Sequence, residues 1–257
     1  MKKVFFIIIA FILNSYIFGQ TNKPTSADTV NSNVYGDGAL FEIEFIKGKS
    51  HNKPSFVVWI DSPDGKYLQT LFVTKSVNKG NYTYGKNIQG KWHASYKEYP
   101  AALPFWFHRI GKTKYKEGKL NTDATTGATK KPDYYVPGLV PDAYSGATPK
   151  SSFVLNAKAE KMPERKIRLL LEVNQTWDWN DFWHNTKYMG DQDYQSSCQP
   201  AVVYAVDIDL DNLLESYILN PIGHSHYSGK DGNLYTDLST LTTALQIFDK
   251  ITVKIKK

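Results

Sequence analysis

Residues 54–74, PSFVVWIDSPDGKYLQTLFVT, set the strongest constraint on the fold. Two runs rich in Val, Ile, Phe, Trp and Thr favour extended backbone, because branched and aromatic side chains pack well on a pleated surface. Between them stand Pro63, Asp64 and Gly65. Proline presets φ, aspartate bonds the backbone ahead of it, and glycine reaches positive φ, so this is turn chemistry. The segment predicts a β-hairpin over 55–74 with Trp59 in the core. In ALFEIEFIK, residues 39–47, Phe41, Ile43 and Phe45 alternate with Glu42 and Glu44, the period of a half-buried strand. The C-terminal FDKITVKIKK alternates in the same way. SSFVLNAK, RKIRLLLEVN and PAVVYAVDIDL supply further strands, and LLESYILNPIG is another candidate. Helical periodicity is scarce: one short helix is expected in DLSTLTTALQIF and one near 94–99. The pattern gives an all-β fold, a β-sandwich with long loop insertions and one or two short helices.

The first twenty residues, MKKVFFIIIAFILNSYIFGQ, place Lys2 and Lys3 before an apolar run over 4–13, then a polar break and Gly19. This is the pattern of a secretory signal peptide over 1–20, and the run is short for a membrane span. An uncleaved N-terminal anchor is the alternative. No cysteine follows the run, which excludes a lipoprotein anchor there. Export implies a periplasmic or extracellular protein. Residues 21–36 are polar and read as a flexible leader. Regular structure is expected from about Ala39, within one domain over 37–257. The formal net charge is +6 and falls to +4 without Lys2 and Lys3. That excess is spread along the chain and argues against a nucleic-acid partner. Cys198 is the sole cysteine, so no intrachain disulfide or thiolate cluster forms, and a buried, inert thiol is expected.

An insertion is expected over about 78–150. Residues 78–90 are polar and read as a loop; residues 111–150 are rich in Lys, Gly, Pro, Thr and Asp. Long loops of this kind are usually functional or disordered. Two near-identical heptads lie in it, DATTGAT at 123–129 and DAYSGAT at 142–148. Chance matching has odds on the order of one in ten million per starting position, so coincidence is a poor account. A turn explains part of the pattern: Asp142 can bond backbone N–H groups ahead of it, and Gly146 can take positive φ. It does not explain why both copies close on Ala-Thr.

Asp-(Gly/Ala)-x-(Ser/Thr)-Gly-Ala-Thr resembles the sequence at which flavin transferases of the ApbE type attach FMN. In that family the closing Thr hydroxyl becomes a phosphoester of FMN, taken from FAD with a divalent metal. The resemblance implies covalent FMN on Thr148, in a motif with Asp142, Ser145 and Gly146, and on Thr129 in the copy that begins at Asp123. Pro149 keeps Thr148 out of helical geometry, whereas two lysines follow Thr129 and could pair with phosphate. A wider resemblance covers roughly residues 39–255. EYPAALPFWFHRIG, VPDAYSGATPKSSFVL, KIRLLLEVNQTWDWNDFW and CQPAVVYAVDI are similar to an exported bacterial family of unknown function. Its members are found with flavin transferases and PepSY-type membrane proteins, and part of the domain resembles the Ig-like domain of flagellar hook-capping proteins. The resemblance implies an Ig-like β-sandwich and a flavin-based electron-transfer role. It favours Thr148 over Thr129, since the second heptad directly precedes the FVL strand. An ApbE-type transferase and a PepSY-type membrane redox protein are the implied partners.

Other constellations are weaker. His224 and His226, two apart in GHSHYSG, would share a strand face and could bind a metal or haem with His108, His184 or Asp191; an exposed polar loop is the competing reading. In WDWNDFWHN, which holds Trp177, Trp179 and Trp183, Trp177 and Trp179 would share a face if the strand continues and could stack on a flavin or a sugar; a loop folded over the sandwich end is the competing reading. In PFWFHRIG, Trp106 reads as core and Arg109 as a group able to meet phosphate. DIDLDNL lacks the glycine and terminal Glu of a calcium loop. No nucleophile elbow and no phosphate-binding Gly-rich loop occurs. Three functions follow: an exported flavin-carrying electron-transfer protein that need not have its own substrate, a cofactor-free Ig-like binding module of the cell envelope, or, more weakly, a metal- or haem-handling protein using His224 and His226.

Overall fold

A computed structural model describes residues 28–79, 81–96, 99–111, 124–126, 143–162 and 164–256. In chain order the elements are β1 (Asp28–Ser32), β2 (Leu40–Lys47), β3 (Ser55–Asp61), β4 (Tyr67–Thr74), α1 (Lys75–Lys79), β5 (Asn81–Ile88), β6 (Lys91–Tyr96), α2 (Pro104–Arg109), β7 (Ala124–Thr126), β8 (Ala143–Gly146), β9 (Phe153–Lys158), β10 (Lys166–Asn174), α3 (Gln192–Ser197), β11 (Val202–Asp209), β12 (Tyr217–Ile218), β13 (Asn220–His224) and β14 (Phe248–Lys256), with a 3-10 turn at Thr243–Gln246 before β14. The fold is mostly strand, in two sheets, as the alternating patterns require. One sheet has the order β1-β9-β2-β14-β12, the other β13-β11-β10-β3-β4-β8-β7, and β5 pairs only with β6. Among the described residues no helix is long and apolar enough to cross a membrane. Residues 1–20, together with Asp123, Thr129 and Asp142, lie outside the described residues.

The core follows from the periods. In β2, Phe41, Ile43 and Phe45 are fully buried, while Glu42 and Glu44 face outward and meet Lys256 and Thr252 of β14 at 2.6 and 3.2 Å. Phe45 stacks on Phe153 at 4.5 Å and tilts against Phe248 and Phe56 at 5.0 and 5.4 Å. β3 is different because its run FVVWI has no polar alternation. Phe56, Val58 and Ile60 enter the core between the sheets; Val57 and Trp59 enter a second core beneath α2 with Leu103, Phe105, Trp106 and Phe107. A continuous apolar strand is what burial on both faces demands. The hairpin forms as expected, with Gly65 at φ +85 and its N–H bonded to the Ser62 carbonyl at 2.9 Å.

Several local expectations fail, each for a stated reason. Structure begins before Ala39: β1, DTVNS, pairs in parallel with β9, and Ser32 Oγ donates to the Leu71 carbonyl at 2.7 Å. Val30 is its single aliphatic residue, so an edge strand held by backbone pairing left no hydrophobic period to read. Within the stretch 78–90 expected as a loop, Asn81–Ile88 form β5, which pairs antiparallel with β6. Residues 94–96 are strand, and the helix lies at Pro104–Arg109, with proline at its start. Proline is tolerated there because the first helical N–H has no partner within the helix. LLESYILNPIG divides into β12 and β13, which join different sheets.

The heptads are placed most informatively. The described residues of the first copy form β7 and those of the second form β8, and the two pair in parallel with Ala124 opposite Ala143, Thr125 opposite Tyr144 and Thr126 opposite Ser145. Each described position of the first copy faces the same position of the second. β8 in turn pairs in parallel with β4, Ser145 opposite Val73 and Gly146 opposite Thr74.

Candidate functional site

Gly146 does not serve a positive-φ turn; it ends a strand. A Cβ there would stand 3.1 Å from the Phe72 ring, so glycine eases the close approach to β4 rather than supplying backbone freedom. The chain then leaves the sheet through exposed Ala147 and half-buried Thr148. Thr148 Oγ1 donates to the Pro54 carbonyl at 2.7 Å and lies 3.4 Å from Thr74 Oγ1. Thr74 Oγ1 is itself fixed by the Phe56 N–H at 2.9 Å and the Phe56 carbonyl at 3.1 Å. His51 Nε2 donates to the Pro149 carbonyl at 3.0 Å, and Ser152 Oγ accepts from the Lys47 N–H at 3.0 Å. The loop over 147–152 is thereby stitched to the turn over 47–54.

These two segments border an open pocket of about 310 Å³ lined by Lys47, His51, Asn52, Lys53 and Lys150. His51 is a buried imidazole. Burial and the Lys47 charge lower its pKa, opposed by the carbonyls of Pro149 and Ile247. Its Nδ1 is buried with no hydrogen bond of good geometry. The only forewarning of this site in the sequence was the basic turn KGKSHNK, residues 47–53; Lys150 is remote in the chain and gave none.

The other sequence candidates occupy separate places. Ser145 contributes a backbone rung of β8. His224 ends β13, is buried, and stacks on Tyr235 at 5.5 Å. His226 stacks on Tyr227 at 4.3 Å, and its Nδ1 accepts from the Ser228 N–H at 3.1 Å. His108 Nε2 donates to the Gly229 carbonyl at 3.1 Å, and His184 Nδ1 lies 2.9 Å from Thr186 Oγ1. Asp191 caps α3 through the Tyr194 N–H at 3.1 Å. Among the described residues no group of three or more His, Cys, Asp or Glu is arranged to hold a metal ion.

Arg109 is not available to a phosphate: it pairs with buried Asp61 at 3.0 Å, donates to the Gly65 carbonyl at 2.6 Å and lies 4.4 Å over the Phe105 ring. Burial pushes Asp61 up to about 6 despite the Arg109 charge. Trp106 is core, as expected, and its Nε1 donates to Thr70 Oγ1 at 2.8 Å. β10 ends at Asn174, so Trp177 and Trp179 do not continue a strand. Trp177 is 49 % exposed at φ +60, Trp179 meets Tyr194 edge-on at 5.9 Å, and Trp183 is buried with Nε1 on Thr240. Tyr188 stacks on Tyr227 at 4.1 Å, an aromatic cluster no local pattern announced. Cys198 is buried and unpaired, and desolvation drives its thiol far above the usual range, which leaves it unreactive.

No family model, curated protein or solved structure matches this chain.

Proposed function

We propose that this protein is an exported flavin-carrying electron-transfer protein, with FMN joined through Thr148. The observation that carries the reading is the heptad itself, whose closing hydroxyl lies half-buried on a loop between small residues and a proline. Attachment forms a bond between Thr148 Oγ and the FMN phosphorus of FAD and breaks the phosphorus–oxygen bond to AMP. AMP leaves, and the hydroxyl proton passes to a base of the transferase. Before that, Thr148 must rotate about Cα–Cβ to release the Pro54 carbonyl, a movement between staggered wells. The flavin supplies the redox chemistry; the chain supplies position and electrostatic setting. An ApbE-type transferase and a PepSY-type membrane redox protein are the partners this reading requires, in the periplasm or outside the cell.

Co-expression with a flavin transferase, followed by a denaturing gel under ultraviolet light, tests it. The expected result is fluorescence that survives denaturation, a mass gain of one FMN less water, and complete loss of both in Thr148→Ala. A dark band of bare polypeptide mass from cells with active transferase overturns it. Retention of the label in Thr148→Ala moves the attachment elsewhere, with Thr129 the next residue to replace.

A cofactor-free binding module is the second reading. It draws on the exposure of Trp177, Phe182 and Met189 within one short segment, since clustered exposed apolar groups mark contact surfaces. Glycan- or protein-binding that survives Thr148→Ala and fails in Trp177→Ala would favour it.

A further inference from the structure

The pocket beside Thr148 has features that its structural role does not require. Lys47, Lys53 and Lys150 all line it, and none of the three ammonium groups has an ion-pair partner among the described residues. Like charges held around one cavity repel each other, and the repulsion is relieved by an anion entering it. His51 lines the pocket too: the residue is 7 % exposed, and its Nε2 donates to the Pro149 carbonyl at 3.0 Å, next to Lys150 in the chain.

The backbone that carries these lysines is tied in place. Thr148 to Pro54, His51 to Pro149, the Lys47 N–H to Ser152 and the Asn52 N–H to Gln175 at 2.7 Å tie the two segments to each other and to the sheet. A site assembled before binding loses less on ordering. Its volume is at the small end for small-molecule sites, enough for a mono- or diphosphate. Lys150 stands two residues beyond Thr148.

We infer that the pocket formed by Lys47, His51, Asn52, Lys53 and Lys150 is a phosphate-binding site, which receives the phosphate of a flavin nucleotide at the Thr148 loop. The flavin part of this statement rests on the attachment reading above; the phosphate chemistry stands without it.

The test uses the full chain, exported from cells that lack a flavin transferase, titrated by calorimetry and by amide NMR with inorganic pyrophosphate, FMN and riboflavin. Pyrophosphate and FMN are expected to bind, with shifts concentrated at residues 47–53 and 148–150, and riboflavin is not. Binding should weaken steeply with added salt, because the contacts are between charges. Lys53→Ser combined with Lys150→Ser should weaken FMN binding about tenfold or more, as each lost ammonium removes a charge-assisted contact. Its far-ultraviolet spectrum and melting curve should match those of the parent. The inference is overturned if millimolar pyrophosphate moves none of those amides, if riboflavin binds as tightly as FMN, or if the double variant binds FMN unchanged. Covalent labelling of Thr148 without pyrophosphate binding would remove this inference and leave the attachment reading intact. Pyrophosphate binding without labelling would do the reverse.

Discussion

Glu172→Ala should lower the unfolding free energy by about 3 kcal/mol, the cost of orphaning two buried donors and opening a small cavity. Glu172 lies in β10 with no exposure, and its two carboxyl oxygens accept from the first N–H groups of α2: Oε1 from Phe105 at 3.1 Å, Oε2 from Trp106 at 2.9 Å. α2 has no side-chain cap of its own, so Glu172 takes that role from a neighbouring strand. Desolvation pushes its pKa up to about 8, with the two N–H groups pulling the other way. The sign follows directly. Between about pH 4.5 and 8 the unfolded chain releases a proton that the folded chain keeps, so stability falls as pH rises through that window. Buried Asp61, raised to about 6, acts in the same direction lower down. His51 and His226, both lowered by burial, oppose it only below about 6.5, where unfolded imidazoles take up protons. From pH 6.5 to 8, Glu172 therefore dominates among these groups, with a slope of up to about 1.4 kcal/mol per pH unit. Urea titrations at pH 6.5, 7.25 and 8 measure it. Glu172→Gln should flatten the slope while costing about 1 kcal/mol, since its amide accepts one N–H and not two. A slope that persists in Glu172→Gln would assign the titration to another group.

Phe45→Ala should cost about 4 kcal/mol, the middle of the range for truncating a buried aromatic. Phe45 is fully buried and joins rings from both sheets: Phe153 and Phe248 on its own, Phe56 on the other. The cavity would sit where the sheets face each other, and neither can close on it without breaking strand register. Ile218→Ala, at a residue 48 % exposed, should change stability by no more than about 0.5 kcal/mol. Denaturant melts of the two variants should differ in midpoint and share one slope. Equal costs for the two would mean that the aromatic core is not the stabilising unit described above.

The strands that were legible in the sequence had a hydrophobic period to show. Phe41, Ile43 and Phe45 announce β2, and the unbroken FVVWI announces β3 as a strand, although not that Val57 and Trp59 belong to a second core under a helix. β1 and β5 were illegible because backbone pairing places them, and Asn, Lys and Tyr carry no periodic signal. Trp106 was legible as core, but the reason for its helix was not, because the cap comes from Glu172, far away in the chain. The candidate site divides the same way. Thr148 stands out through its motif, whereas Lys47, Lys53 and Lys150 become a group only when the loop after β8 returns to the turn after β2.

The side-by-side heptads carry a consequence for how such an edge arises. A new strand must ordinarily match its neighbour in inward and outward alternation, since a slip of one residue turns every side chain to the wrong face. A tandem copy inherits that alternation ready-made. When like aligns with like, Ala124 beside Ala143 and Thr126 beside Ser145, the correct register is also the self-evident one. Residues 127–142 are long enough to carry the chain back for a parallel return. A repeated heptad therefore adds one strand to this sheet with no second alternation to specify.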